Sequence, residues 1–227
     1  MTYRRINLLN TLGLLALAGV LSSGYGADEM KPLAPPSPGV RQPAEPGITP
    51  LTEEDQVAVI TTNFGQIILR FYPAIAPNHV KNFISLAQSK FYDGTNFHRV
   101  LPGFMIQGGD PNSKDDDLNN DGIGRGPRTV MAEFSKIPHK RGVLSAARSQ
   151  DPNSASCQFF IMVAEALHLN GQYSAFGKVV EGLGVVDKIV ALKRNERDNP
   201  GKAALVKTIE IKRAGDVLKF PVNEEVQ

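Results

Sequence analysis

The sequence predicts a mainly β protein, a closed antiparallel barrel with two capping helices. Three observations lead there. Short apolar runs with strand-like alternation recur along the chain, bounded by glycine, proline, asparagine or aspartate. Two segments, after Asn78 and after Gly182, instead carry apolar residues at helical spacing. There is no glycine-rich phosphate loop, repeat or coiled-coil heptad, so an α/β dinucleotide fold lacks support. Periodicity alone does not prove closure, because an open α+β sheet would leave a similar record.

The N-terminus has the form of a secretory signal peptide. Arg4 and Arg5 precede an apolar run densest at 12–21, and small residues Ser22, Ser23, Gly24 and Gly26 follow. The run is short and glycine-interrupted for a spanning helix, which leaves a retained anchor as the alternative. Cleavage after Gly26 would start the mature chain at Ala27. Residues 31–50 then contain seven prolines in twenty positions, a composition suited to an extended linker. The expected organisation is a signal peptide at 1–26, a linker at 27–52, a folded domain at 53–216 and a tail at 217–227. Export implies a periplasm, or a thylakoid lumen in a photosynthetic source.

Within the folded part, Gln56–Thr62 and Gly65–Phe71 alternate as strands around a turn at Asn63 and Phe64. Pro73 and Pro77 end that pattern, and Val80, Phe83, Ile84 and Ala87 then line a helical face. Asp93-Gly94 marks a turn before strands at 97–101 and 104–108. Residues 112–128 are rich in Asp, Asn and Gly and predict a long surface loop. Its Asp115, Asp117, Asn119 and Asp121 alternate, but the glycine and terminal glutamate of a calcium loop are out of place. Strands are expected at 143–147 and 158–163. A second helix is expected at 182–192, with Leu183, Val186, Ile189 and Val190 on one face, and a closing strand at 207–213.

Composition narrows the chemistry. The chain has 25 basic and 23 acidic residues. Loss of Arg4 and Arg5 with the signal peptide would leave the mature chain near neutral, which disfavours a broad nucleic-acid surface. Cys157 is the only cysteine, so no internal disulfide can form, and a packed or idle thiol is the default reading. His79, His98, His139 and His168 lie far apart and lack a compact zinc pattern. No cofactor and no metal is expected.

The motifs FHRVLPGFMIQGGD, GVLSAARS, SCQFFIMV and LNGQYSAFGKVVEGLGVVD together resemble an exported, bacterial-type cyclophilin domain over roughly residues 57–214. The resemblance implies an eight-stranded barrel and peptidyl-prolyl cis–trans isomerase activity. It assigns Arg99 in FHRV as catalytic, together with Phe104, Gln107 and Phe160. Met105, Ala147, Arg148, Gln158, His168, Leu169 and Tyr173 fall at positions that face the bound peptide. Tyr173 stands where many eukaryotic relatives have histidine, and Arg148 replaces a common asparagine. His168 occupies a position that is tryptophan in cyclosporin-sensitive members, and this chain has no tryptophan, so low cyclosporin sensitivity is implied.

Elementary chemistry agrees with that assignment. Resonance keeps the peptide bond planar behind a barrier of roughly 18–20 kcal/mol. Twisting breaks the resonance and returns a lone pair to the prolyl nitrogen. A permanently protonated arginine can donate to that nitrogen in the twisted state. Phe104, Met105, Phe160 and Leu169 can hold the pyrrolidine ring, while Gln107 and Gln158 can position the substrate backbone. Phe159 and Phe160 must point to opposite faces of their strand, so one packs inward while the other can reach the cleft. The expected partners are proline-containing peptides and unfolded or partly folded proteins, met by a monomer. A proline-peptide binding module with weak catalysis is the competing class.

Overall fold

A computed structural model of the protein describes residues 48–222. The expected signal peptide and most of the expected linker lie outside these residues, as does the end of the tail. The first hairpin pairs β1 (Gln56–Thr62) with β2 (Gly65–Phe71) in the register Thr62↔Gly65. Thr62 stabilises the two-residue turn: its Oγ donates to the Gly65 carbonyl (2.8 Å) and accepts from the Phe64 N–H (3.0 Å). Helix α1 (Pro77–Gln88) follows, with Pro at its first turn, where a missing N–H costs nothing.

Strands β3 (Arg99–Leu101) and β4 (Met105–Gly108) form the next hairpin. After the long loop come β5 (Val143–Ala146), β6 (Phe159–Met162) and β7 (Ala175–Glu181). Helix α2 (Leu183–Val190) and β8 (Val206–Arg213) complete the order. The eight strands make one antiparallel sheet ordered β3-β4-β6-β5-β7-β2-β1-β8.

The expected closed barrel is corrected by this order. The sheet is an open, curled half-barrel whose ends, β3 and β8, do not pair. Contact between the two ends is confined to the chain just before β3. One isolated bridge, Asn96↔Leu205, joins that segment to the approach to β8. There the Asn96 N–H goes to the Ser113 hydroxyl (2.9 Å), and the Asn96 side chain donates to the Ser113 carbonyl (2.8 Å). That N–H points away from the approach to β8; the pairing there runs through Phe97 N–H to the Ala204 carbonyl (2.9 Å) and Val206 N–H to the Thr95 carbonyl (2.8 Å), and it stops before β3. With β3 only three residues long, little strand remains to continue it.

The curled sheet wraps one main core. Ala58, Ile60, Ile67, Leu69, Val100, Ile106, Leu144 and Ile161 are fully buried there. Helix α1 enters this core through Phe83, whose ring lies 5.1 Å from Tyr92, 5.3 Å from Phe159 and 5.7 Å from Phe176. Burying each such ring stabilises the fold by about 1.5–3 kcal/mol. Of the expected helical face, Val80, Phe83 and Ala87 are buried, and Leu86 takes a larger share than Ile84. A separate cluster of Val57, Val59, Ile68 and Val180 is covered by Leu51, Val217, Leu218 and Phe220. Thus β1 is buried on both faces, which explains its nearly continuous apolar run.

Strand β7 is absent from the strands expected on periodicity. Gly177 sits in its middle and Lys178 breaks the apolar run, so the alternation signal is weak there. The glycine is required by contact: a Cβ at Gly177 would lie 2.4 Å from the Arg70 carbonyl oxygen on β2. Gly177→Ala should therefore lower unfolding stability by about 1–3 kcal/mol, read as a shift of the urea midpoint. An unchanged midpoint would show that β2 and β7 separate without cost.

Candidate functional site

Cross-strand register arranges the site. Reading across the sheet, Arg99 on β3 faces Gln107 on β4, Gln107 faces Phe160 on β6, and Phe160 faces Ser145 on β5. Cross-strand partners share a face, so these residues form one row on the outer side of the sheet. One position along, Val100, Ile106, Ile161 and Leu144 form the next row and point into the core. Leu101, Met105 and Met162 make a third row beside the first, on the same outer face.

The outer face carries a second apolar cluster. Met105, Phe160, Met162, Leu169 and Ala175 are buried in it, with Phe104, Ala147 and Tyr173 packed against them. Phe159 packs instead in the main core, so the two phenylalanines divide between the faces as expected. Phe104 is delivered by the β3–β4 turn. Gly103 adopts φ +73°, a conformation available to glycine at no steric cost, and the Phe104 N–H returns to the Leu101 carbonyl (3.0 Å). A 3-10 turn, Leu167–Leu169, supplies exposed His168 and buried Leu169. The His168 ring stacks on Phe104 at 5.9 Å.

Polar groups fix the rest of the cleft. Gln107 Nε2 donates to Gln158 Oε1 (2.9 Å), and Gln158 Nε2 donates to the carbonyls of Gly122 (3.0 Å) and Gly124 (2.9 Å). Arg148 lies over the Tyr173 ring, 4.5 Å from its centroid, and donates to the Gln172 carbonyl (3.0 Å). Arg99 is exposed on the edge strand, opposite Gln107. The residues nominated from sequence therefore lie on one outer face and its rim.

Several supports were not legible in the sequence. Asp110 is fully buried and accepts from the N–H groups of Asn112 (2.8 Å), Gly122 and Gly124 (3.2 Å). It thereby holds the segment whose carbonyls orient Gln158. Glycine at 124 is demanded by this approach, since a Cβ there would meet Asp110 Oδ1 at 1.9 Å.

His139 backs the Phe160 ring at 6.1 Å, while Tyr173 meets that ring edge-on at 5.7 Å. Asn170 Oδ1 accepts from the His139 backbone N–H (2.8 Å) and lies 3.2 Å from Nδ1, so Nδ1 carries the proton. Nε2 is left to accept from the Ser145 hydroxyl (3.0 Å). Glu133 accepts from the first N–H groups of α1, at Asn78 and His79 (both 3.0 Å), and from His79 Nδ1 (2.6 Å). Asn170 lies 31 residues from His139, and Asn78 and His79 lie 55 and 54 from Glu133, with no shared spacing signature.

Burial sets the protonation of this framework. Desolvation lowers the pKa of His79, His98 and His139; nearby Glu133, and Asp110 with Asp121, oppose it at the first two. Burial, reinforced by the charge of Asp110, pushes the Cys157 thiol up to about 11. Cys157 is therefore a protonated core residue at neutral pH, unsuited to nucleophilic chemistry. No group of three or more His, Cys, Asp or Glu residues among the described residues could hold a metal.

Comparison with known proteins decides the family. Residues 57–215 match the family described as cyclophilin type peptidyl-prolyl cis-trans isomerase/CLD. The chain belongs to the cyclophilin family. It is 41% identical over 152 residues to the Brucella abortus protein named "Probable peptidyl-prolyl cis-trans isomerase", covering 65% of this chain and 76% of that protein. It is 34% identical over 160 residues to mouse peptidyl-prolyl cis-trans isomerase-like 1, covering 67% of this chain and 90% of the relative. Among solved structures, a Cryptosporidium parvum cyclophilin crystallised in the presence of the dipeptide Ala-Pro superposes with TM-score 0.63 at 31% identity. That match covers 69% of this chain and 98% of the other. This cyclophilin is accordingly a peptidyl-prolyl cis–trans isomerase acting on proline-containing peptides.

The buried histidines give the cyclophilin a defined pH response. Their folded pKa values lie below the unfolded value of about 6.5. Between the two values the unfolded chain binds more protons, so stability is fully present above about 6.5 and is lost as pH falls. Glu133, held low by its His79 and Asn78 hydrogen bonds despite partial burial, adds a loss of the same sign at lower pH. The urea midpoint should fall steadily as pH drops from about 7.5 to about 5. A flat or rising midpoint would mean that the histidines are not desolvated in the fold.

Proposed function

We propose that the outer-face cleft catalyses rotation about X–Pro bonds by apolar capture of proline and a hydrogen bond from Arg99. The pyrrolidine ring lies among Phe104, Met105, Phe160 and Leu169. Gln107 and Gln158 position the flanking backbone, with Ala147, Arg148, His168 and Tyr173 along the bound peptide. As the bond twists, the prolyl nitrogen regains its lone pair and accepts from the Arg99 guanidinium. That donation is stronger in the twisted state than in the planar one, which is the condition for catalysis. The reaction breaks no σ bond and moves no proton, so it requires no cofactor and no metal.

The observation that carries this reading is the single row of Arg99, Gln107 and Phe160 across three adjacent strands. It sets a charged donor and an apolar ring on one face, one residue out of phase with the core. Removal of a single well-placed transition-state donor typically costs about 10²–10³ in rate. Arg99→Ala should reduce turnover of an Ala-Pro peptide by about a hundredfold in an NMR exchange assay, with unchanged circular dichroism. Wild-type activity in a correctly folded variant would remove Arg99 from the mechanism.

The cellular role follows from the N-terminal sequence. We infer that residues 1–26 direct export and are cleaved, and that residues 27–52 tether the isomerase domain. Its clients are then proteins folding in a periplasm, or in a thylakoid lumen if the source is photosynthetic, where unaided isomerisation takes tens of seconds or longer. The reading includes a monomer and no nucleic-acid partner. N-terminal sequencing of the native protein should return a start at Ala27. An intact Met1 in a soluble cytoplasmic fraction would overturn export, and an intact apolar segment in membranes would favour an anchored form.

A further inference from the structure

Beside the proline cleft lies a second cavity of about 290 Å³, which shares Gln107, Ala147 and Gln158 with it. One wall is residues 122–125 and the other is the segment from Arg148 to Ser156. Its size is at the lower end for ligand sites, so it suits one side chain rather than a whole ligand. The charged residues lining it are Arg125 and Arg148, and no acid lines it.

These two cations differ in how they are held. The Arg148 guanidinium donates to the carbonyls of Ser149 (2.8 Å), Gln150 (3.2 Å) and Gln172 (3.0 Å). Carbonyls fix its position and leave its unit charge uncancelled. Arg125 is exposed, and no hydrogen bond or ion pair to it is found among the described residues. Asp151, the acid within the lining loop, turns away from the cavity role: its Oδ1 accepts from the Asn153 N–H (2.9 Å) as the cap of the short turn Pro152–Ser154. The cavity therefore presents one anchored and one exposed positive charge with no acid among its lining residues.

We propose that this cavity receives an acidic side chain of the substrate, so that the enzyme prefers X–Pro sites with Asp or Glu nearby in the sequence. The proposal rests on the assignment of the cleft as the proline site. A carboxylate there would meet the anchored Arg148, while Arg125 closes from the opposite wall. Burial is partial, so the effect is a bias among substrates rather than a requirement.

The test uses NMR exchange on X–Pro peptides carrying Glu, Ala or Lys at each of the two positions before and after proline. At one of these positions kcat/KM should rank Glu above Ala above Lys, with Glu and Lys differing by about threefold to tenfold at low salt. Raising salt to about 1 M, where the screening length is about 3 Å, should collapse the ranking. In Arg125→Glu the ratio of Glu to Lys peptide should fall to one or invert. Because it is a ratio, it is independent of any general change in activity. Turnover of the Ala peptide with equal rates for Glu and Lys at every position would overturn this inference alone. A salt-resistant preference, or one untouched by Arg125→Glu, would overturn it too. No turnover of any peptide would instead overturn the isomerase reading of the cleft, and this inference with it.

Discussion

The period-two alternation of β-strands is the constraint on which this molecule depends. Strands β4, β6 and β5 bury one face in the main core and carry an apolar cluster on the other. Ile106 and Ile161 belong to the first face, Gln107 and Phe160 to the second. A slip of one residue would exchange them, driving an amide into the core and an isoleucine into the cleft. The cost is prohibitive in both directions: a buried unpaired amide on one side, lost apolar burial on the other. The same packing that stabilises the fold thus fixes the row that runs from Arg99 to Ser145.

An open sheet is compatible with this arrangement because the missing edge contact is replaced locally. The segment before β3 pairs its donors with Ser113 and with the 204–206 backbone, where Phe97 N–H meets the Ala204 carbonyl at 2.9 Å. Helix α1 lies against β7 and β8, and α2 against β2, β3 and β4. The helices, not a closing ladder, cover the core. Strand β3, three residues long, presents few unpaired groups to another chain. Arg99 can therefore sit on an edge, near solvent, without making that edge a site for strand addition.

Local pattern made much of the fold legible, and its limits are physical. The first hairpin and the apolar faces of both helices could be read because alternation and helical spacing are strong at 56–71, 77–88 and 183–190. Strand β7 could not, since Gly177 answers to the Arg70 carbonyl rather than to periodicity. Closure could not be read either, because it turns on whether the short pairing of 95–97 with 204–206 continues into β3, a contact between segments distant in the chain. The division between Phe159 and Phe160 followed from alternation, but which of the two faced the cleft came from family resemblance. The supports at Asp110, His139 and Glu133 were hidden because the spacings to Gly122 and Gly124, to Asn170, and to Asn78 and His79 follow no local pattern. The nominated roles of the cleft residues rest on resemblance and chemistry, while their proximity is a property of the fold.

A division of labour among polar groups follows. The groups that shape the cleft from behind are neutral or hold their charge in the fold. His139 is kept neutral by burial, Ser145 and Asn170 are uncharged, and Asp110 points its carboxylate at backbone N–H groups. The charges that remain at the cleft and its neighbouring cavity are positive: Arg99, Arg125 and Arg148. A chain with 25 basic and 23 acidic residues thus concentrates one sign along this face. Such a local field has no use for holding an apolar proline ring, which is bound by contact alone. Under the proposed mechanism it acts on what is dipolar or charged in the rest of the peptide: the prolyl nitrogen as its lone pair returns, the carbonyls beside it, and any carboxylate that the sequence brings within reach. On that proposal, selection of the proline and selection of its surroundings fall to different physical forces, and a substitution can alter one without the other.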